Sequence, residues 1–292
     1  MSRQLPIRAS DGHRWRIELF EPARPRAALL FAAAMGVEAS YYQRLAEMLA
    51  ERGLAVALSD LRGNGYSSLR ASREVDFGYR ELCELDLPAA VDALEDAVPG
   101  LPIVVGGHSL GGQASALYAA LHPKRVDAVL LIAACLVDYR LFAGRLRPGL
   151  RIAGHLFPAV ARLLGSFPGH RFRFGGREAR TLMADWGRVA RTGDYRAHGS
   201  ERDYETALRR AEHELLAVSF SDDSWAPKSA VDGLVNKMPR ARARHIHLGR
   251  ADLGRVTDHF RWARSPEVVV EVVEDWLSDR LEKRDTEVAN PR

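Results

Sequence analysis

The chain has 292 residues, 47% of them apolar and 27% charged, with a net charge of +4, a composition that suits one large α/β domain or two smaller ones with ample core. Its longest apolar run, Ala128 to Val137, has ten residues, short of the ~18 that a membrane-spanning helix needs. The N-terminal MSRQLPIRASDGHRW lacks the apolar centre of a signal peptide, and two cysteines placed in apolar or helical runs, Cys83 and Cys135, suit packing roles in a reduced, cytoplasmic setting.

Strand-like and helix-like runs alternate from the start. HRWRIELFEP (His13 to Pro22) alternates polar and apolar residues like a half-exposed edge strand. RAALLFAA and LAVALSD are nearly unbroken apolar runs, the pattern of parallel strands buried on both faces. Between them YYQRLAEMLAERG reads as a helix that Gly53 stops. A second helix is expected over about Asp86 to Val98, with Pro88 tolerable in its first turn. Next come a strand ending at Gly106–Gly107, a helix from about Ser109 to Leu121, and the strand DAVLLIAA. Repeated strand–helix–strand units require right-handed crossovers and a mostly parallel sheet.

The pattern breaks at Asp138. Residues 138–213 hold 15 arginines, no lysine and 8 acids, whereas the remainder of the chain carries 27 basic against 30 acidic residues. This segment is punctuated by Gly and Pro, weakly helical and without a clear strand. The alternation resumes with ELLAVSF, a helix near Ala226 to Met238, the strand ARHIHL and the helix PEVVVEVVEDWL. We therefore expect a core of residues 1–137 and 214–281, an insertion over 138–213 above the edge of the sheet, and a disordered polar tail over 282–292. The basic surplus is modest and accompanies no recognition motif, so nucleic acid is not an expected partner.

Gly107-His108-Ser109-Leu110-Gly111 lies where a buried strand meets a helix. A serine boxed by glycines there can be a capping residue in a tight turn. It can also be a nucleophile elbow, in which flanking side chains would collide with strand or helix and the amide of Leu110 donates to an oxyanion. A nucleophilic serine needs a histidine base and a carboxylate to orient it, in the chain order serine, acid, histidine for such an elbow. Three of the ten histidines follow the resumed strands. His245 and His247 alternate within a strand and suit structural roles; His259, in the loop GRVTDHFRWARSP, stands where the base belongs. For the acid, SFSDDSWAP offers Asp222 and Asp223, with Asp223 preferred and the other left to cap a helix or hold the loop. Asp138 is a further acid position, better suited to capping a helix at the insertion boundary.

With GHSLGG, the loop Ser59-Asp60-Leu61-Arg62-Gly63-Asn64-Gly65-Tyr66-Ser67, SDDSWAP, the DHF around His259 and AAAMGVEASYY, residues 5–280 resemble the α/β-hydrolase superfamily. They look closest to a bacterial branch of predicted hydrolases near the serine aminopeptidase and lysophospholipase-like groups. The resemblance implies an α/β-hydrolase fold, a mostly parallel sheet flanked by helices, with a helical cap in the insertion between late strands. It also implies Ser109 as nucleophile, His259 as base and Asp223 as acid. Many members carry His-Gly after the strand before the first long helix; this chain has Ala33-Ala34-Met35-Gly36. The second oxyanion amide is then expected from Met35, with Ala34 the alternative.

The expected reaction is acyl transfer to water: Ser109 attacks a carbonyl carbon, His259 takes the proton, and the acyl-enzyme is hydrolysed. The substrate is a small acyl compound, an ester or alternatively an amide, thioester or peptide, since one triad serves all of them. A non-catalytic binding protein on this scaffold is the rival reading. No metal or organic cofactor is implied, as no ligand cluster has suitable spacing. Residues 139–177 contain eight arginines and no acid among apolar residues. Such a segment suits an anionic lipid or membrane surface, or a substrate carboxylate or phosphate, or simply a solvated exterior. Oligomeric state does not follow from the sequence.

Overall fold

Nearly continuous apolar runs can be buried on both faces only inside a sheet covered on both sides, and that is where they lie. The structure, a computed structural model, describes residues 2–172 and 174–289, the side chains of residues 281–289 excepted. In chain order the first six strands are β1 (Ser2–Arg8), β2 (Arg14–Phe20), β3 (Ala27–Ala32), β4 (Leu54–Ser59), β5 (Ile103–His108) and β6 (Ala128–Ile132). A two-residue ladder follows, β7 (Phe167–Pro168) with β8 (Arg177–Glu178), and then β9 (Glu214–Phe220) and β10 (Arg242–Leu248). The eight long strands form one sheet in the order β1-β2-β4-β3-β5-β6-β9-β10. Pairing is parallel from β4 through β10, and antiparallel where β2 meets β1 and β4. Every residue of β3, β4, β5 and β6 is buried.

The HRWRIELF run forms a strand but not an edge: β1 pairs along its full length, Ser2 with Phe20 through Arg8 with Arg14. Pro6 of β1 is tolerated because an edge strand does not need every N–H.

Helix α1 (Gln43–Glu51) connects β3 to β4, α2 (Leu87–Ala97) precedes β5, and α3 (Leu110–Leu121) connects β5 to β6. The crossover through α1 steps from β3 to one side and that through α3 steps from β5 to the other. Right-handed crossovers in opposite directions put α1 and α3 on opposite faces and open a crevice at the carboxyl ends of β3 and β5, where ligands bind in such sheets.

Residues between β6 and β9 form α4 (Leu146–Leu164), the one-turn α5 (Gly169–Phe172), α6 (Arg180–Thr192) and α7 (Tyr204–Arg210). The segment is thus more helical than its glycines and prolines suggest, and it carries the small ladder. Pro148 sits in the first turn of α4, where no N–H is needed. Pro158 removes the donor that the Gly154 carbonyl would have had, and the Arg191 guanidinium of α6 donates to that carbonyl instead. A side chain on Gly187 would press against Pro158 and the Gly154 carbonyl, so the two helices meet backbone to backbone.

Helix α8 (Lys228–Val235) links β9 to β10; after the single turn α9 (Arg250–Leu253), α10 (Glu267–Ala289) packs beside α1. The polar stretch expected as a tail continues α10 to Ala289, since LEKRDTEVA holds no Gly or Pro to stop it. Residues 290–292 lie outside the described residues. Among the described residues no helix is long and apolar enough to cross a membrane.

The Asp60–Ser67 loop after β4 is a buried polar knot. Asp60 accepts from the amides of Ala39 (2.7 Å) and Tyr66 (2.9 Å), tying the loops after β3 and β4 together. Arg62 lies with its side chain 2% exposed against Asp86 (2.6 Å) and Asp11 (2.5 Å), and Asp86 also meets His13 at 2.9 Å. Removing Asp86 would leave the buried Arg62 with Asp11 alone and take away the carboxylate beside His13, and loss of a partner from a buried ion pair is costly. Asp86→Ala is expected to cost about 3 kcal/mol in denaturant unfolding. Asp92→Ala, which releases Arg125 from a carboxylate 60% exposed, is expected to cost under about 1 kcal/mol.

Candidate active site

Strand β5 runs into Ser109, which sits at φ 53° and ψ −118°. Positive φ costs a side-chain-bearing residue energy and persists only where the surroundings hold it. Here the Ser109 amide donates to the Ile132 carbonyl of β6 (3.1 Å), and its carbonyl accepts from Gln113 (3.0 Å). A Cβ on Gly107 would overlap the Ala32 carbonyl oxygen, and one on Gly111 the carbonyls of Ala32 and Ala33. Both glycines are needed because the end of β3 passes directly beside the turn. Leu110 begins α3, so its amide is among the first-turn donors that a helix leaves without an internal partner.

The loop after β3 faces this turn. Ala33 donates to the Ser59 carbonyl (3.0 Å), Ala34 to the Tyr42 hydroxyl (3.2 Å) and Val37 to the Ala34 carbonyl (3.1 Å). The amide of Met35 lies between these committed donors, and Ala34, Met35 and Leu110 all line one cavity. Tyr42 also meets His108 Nδ1 at 2.7 Å. Complete burial holds the His108 pKa well below its usual range, so its ring is neutral.

From the other side come the loops after β9 and β10. Asp223 is 3% exposed. Its Oδ1 accepts from the amides of Trp225 (2.8 Å) and Ala226 (3.0 Å), and its Oδ2 lies 2.7 Å from His259 Nδ1. His259 is 4% exposed, packed by the rings of His108, Phe260 and Trp225. Asp222 faces away, paired with Arg250 (3.0 Å) and accepting from the Thr257 amide, so it holds the loop that leads to His259. Asp138 caps the short turn after it, accepting from the Arg140 amide at 2.9 Å. His245 and His247 both meet Ser219 Oγ at 2.7 Å, away from this cluster.

Ser109 and His259 line the same cavity, of about 270 Å³. Its far wall comes from the segment between β6 and β9: Leu146, Leu150, Phe157, Phe174 and Trp186. The only formally charged lining side chain among the described residues is Arg145, and none is a carboxylate. The lining residues not singled out from sequence as site residues include Gln113, Cys135, Trp225 and Phe174. Helical spacing could have found Gln113, one turn beyond Ser109 on α3; nothing in the sequence marks Phe174. No cluster of three or more His, Cys, Asp or Glu able to hold a metal occurs among the described residues.

This sheet order, with the serine turn at the crevice, is the α/β-hydrolase fold. The family model described as "Serine aminopeptidase, S33" matches residues 23–221, and the chain belongs to that family. Human monoglyceride lipase is 32% identical over 108 residues, 37% of this chain and 35% of that protein. The monoacylglycerol lipase of Mycolicibacterium smegmatis is 29% identical over 150 residues, 47% of this chain and 52% of that protein. The matches thus span between about a third and a half of these relatives' length. Among solved structures, the α/β hydrolase GrgF from Penicillium sp. sh18 superposes with a TM-score of 0.66, at 18% identity, over 97% of this chain and 99% of that one.

The inserted segment also touches the Met35 loop. Gly175 and Gly176 pack on Gly36 so closely that a Cβ there would overlap them, and Glu178 Oε1 accepts from the Gly176 amide at 2.7 Å. Burial pushes the Glu178 carboxyl up to about 7, against the lowering effect of that amide. A raised acid pKa means that the unfolded chain loses the proton first, so the native state is penalised as pH rises from the unfolded value of 4.5 towards 7. Glu178→Gln is expected to raise the melting temperature at pH 8 and to leave it nearly unchanged at pH 4.5. Equal shifts at both pH values would contradict this.

Proposed function

We propose that the protein is a serine hydrolase that cleaves carboxylic esters through an acyl-enzyme. The observation that carries this reading is the buried 2.7 Å contact between Asp223 and His259, on a cavity that also exposes the strained Ser109 turn. Asp223 accepts from His259 Nδ1–H, which leaves Nε2 unprotonated and able to take the Ser109 proton. Oγ of Ser109 bonds to the ester carbonyl carbon, and the electron pair displaced onto oxygen is received by the amides of Leu110 and Met35. Met35 is favoured over Ala34 because the Ala34 amide is committed to Tyr42. Collapse expels the alcohol, which takes the proton from His259. A water activated by the same ring then releases the acid and restores Ser109.

The cavity favours an ester over an N-terminal peptide. An aminopeptidase must accommodate a substrate ammonium, and among the described residues no lining side chain is a carboxylate. The lining is aromatic and aliphatic, suited to a hydrocarbon arm of modest length, and the names of the lipase relatives point the same way. We take the inserted segment as the cap that closes over this arm.

Ser109→Ala is expected to abolish turnover of short-chain esters and labelling by a fluorophosphonate; persistent labelling would refute the assignment. Asp223→Asn should lower kcat by about 10⁴-fold, whereas Asp222→Asn should change it by less than about tenfold.

The cap's outer face carries Ile152, Leu156, Leu163 and Leu164, 46–74% exposed, on a helix that also bears Arg147, Arg151 and Arg162. Apolar residues interleaved with arginines favour contact with an anionic lipid surface. Vesicles containing phosphatidylserine should bind the protein, and neutralising Arg145, Arg147 and Arg151 should abolish that binding; binding indifferent to these charges or to salt would exclude it.

A further inference from the structure

One polar side chain in the cavity has no part in the acyl-transfer chemistry. Gln113 lies one helical turn beyond Ser109 on α3, is 2% exposed, and lines the cavity. Its Oε1 accepts from the hydroxyls of Tyr79 and Tyr195, each at 3.3 Å. Complete burial holds both phenols well above their usual pKa, so they are neutral donors. Those contacts fix the amide's orientation: turned over, its nitrogen would face the two hydroxyls and leave both buried O–H groups without an acceptor. The NH₂ group therefore points away from the tyrosines, and among the described residues it finds no acceptor. Of the other lining side chains outside the proposed triad that can hydrogen-bond, Ser224, Arg145 and Trp225 are exposed, the Cys135 thiol donates to the Trp225 carbonyl, and buried Trp186 carries a single indole N–H. Gln113 is thus a buried, pre-oriented carboxamide donor in a mostly apolar chamber.

We infer that Gln113 is a specificity-determining residue, selecting esters whose buried arm carries a hydrogen-bond acceptor, a ketone or hydroxyl oxygen, over those with a bare alkyl arm. This rests on the ester-hydrolase reading above. The distance follows from the helix: four residues rise about 6 Å, and side chains lean towards the N-terminus, here towards Ser109. The acceptor then belongs four or five bonds from the reacting carbonyl. A bare chain would displace solvent from the carboxamide and give it nothing in return, and sites built this way discriminate against the analogue that lacks the acceptor.

The test uses two matched pairs, one for each arm of the ester: ethyl hexanoate with ethyl 5-oxohexanoate, and pentyl acetate with 4-oxopentyl acetate. In one pair the wild-type protein should favour the ketone by about tenfold or more in kcat/KM. Gln113→Leu should reduce that ratio to within about twofold, chiefly through loss of activity on the ketone. Gln113→Met, which keeps the unbranched shape, should do the same. A ratio measured within one preparation is insensitive to partial unfolding, which lowers both rates equally. Equal turnover within both pairs in the wild type, or a preference that survives both substitutions, overturns the inference. Fluorophosphonate labelling separates the two levels. Labelling at Ser109 with equal turnover removes only the role of Gln113, while absence of labelling removes the hydrolase reading itself.

Discussion

The site depends on how closely the end of β3 approaches the turn at Ser109. The carbonyls of Ala32 and Ala33 occupy the space that a side chain at position 107 or 111 would need. These carbonyls belong to the strand that delivers Met35, so one backbone contact sets both the serine and the loop opposite it. Tyr42 adds a second tie, because its hydroxyl meets the Ala34 amide and the His108 ring that directly precedes the serine. Displacing either loop would disturb the other, which is how a turn held at positive φ can persist.

Around this contact, buried polar groups are mostly matched. Asp60 binds two amides of neighbouring loops, Arg62 binds two carboxylates, and Asp223 is satisfied by two amides before it meets His259. An Asp223 already held on Oδ1 has one oxygen left and therefore one orientation in which to hold an imidazole. Its neighbour Asp222 shows the alternative: an exposed ion pair with Arg250 that secures the chain on its way to His259.

The sheet was legible in the sequence because strands buried on both faces must be almost wholly apolar, as β3, β4 and β6 are. The serine turn was legible because close backbone approach can be met only by glycine, which leaves a visible signature. The choice between Asp222 and Asp223 was not fully legible: they are adjacent, and only the path of the loop decides which faces inward. The insertion was read as poorly helical because Pro148, Pro158 and Gly154 weigh against a helix. What the pattern cannot show is tertiary compensation. Arg191, distant in sequence, supplies the donor that Pro158 removes. The strand β1 was missed for a related reason, since its pairing with β2, rather than any apolar run of its own, makes it a strand.

Chemistry and selection draw on different parts of the molecule. The groups proposed to react all come from loops at the carboxyl ends of the parallel strands, whereas most of the far wall of the cavity comes from the insertion. Gln113 crosses that division. It lies on the helix that begins at the serine turn, anchored by Tyr79 before α2 and by Tyr195 after α6. Replacing apolar wall residues of the insertion would change the size of the arm that fits while leaving the donor where it is. The two properties, how long the arm is and whether it carries an oxygen, are set by separate elements and can vary independently.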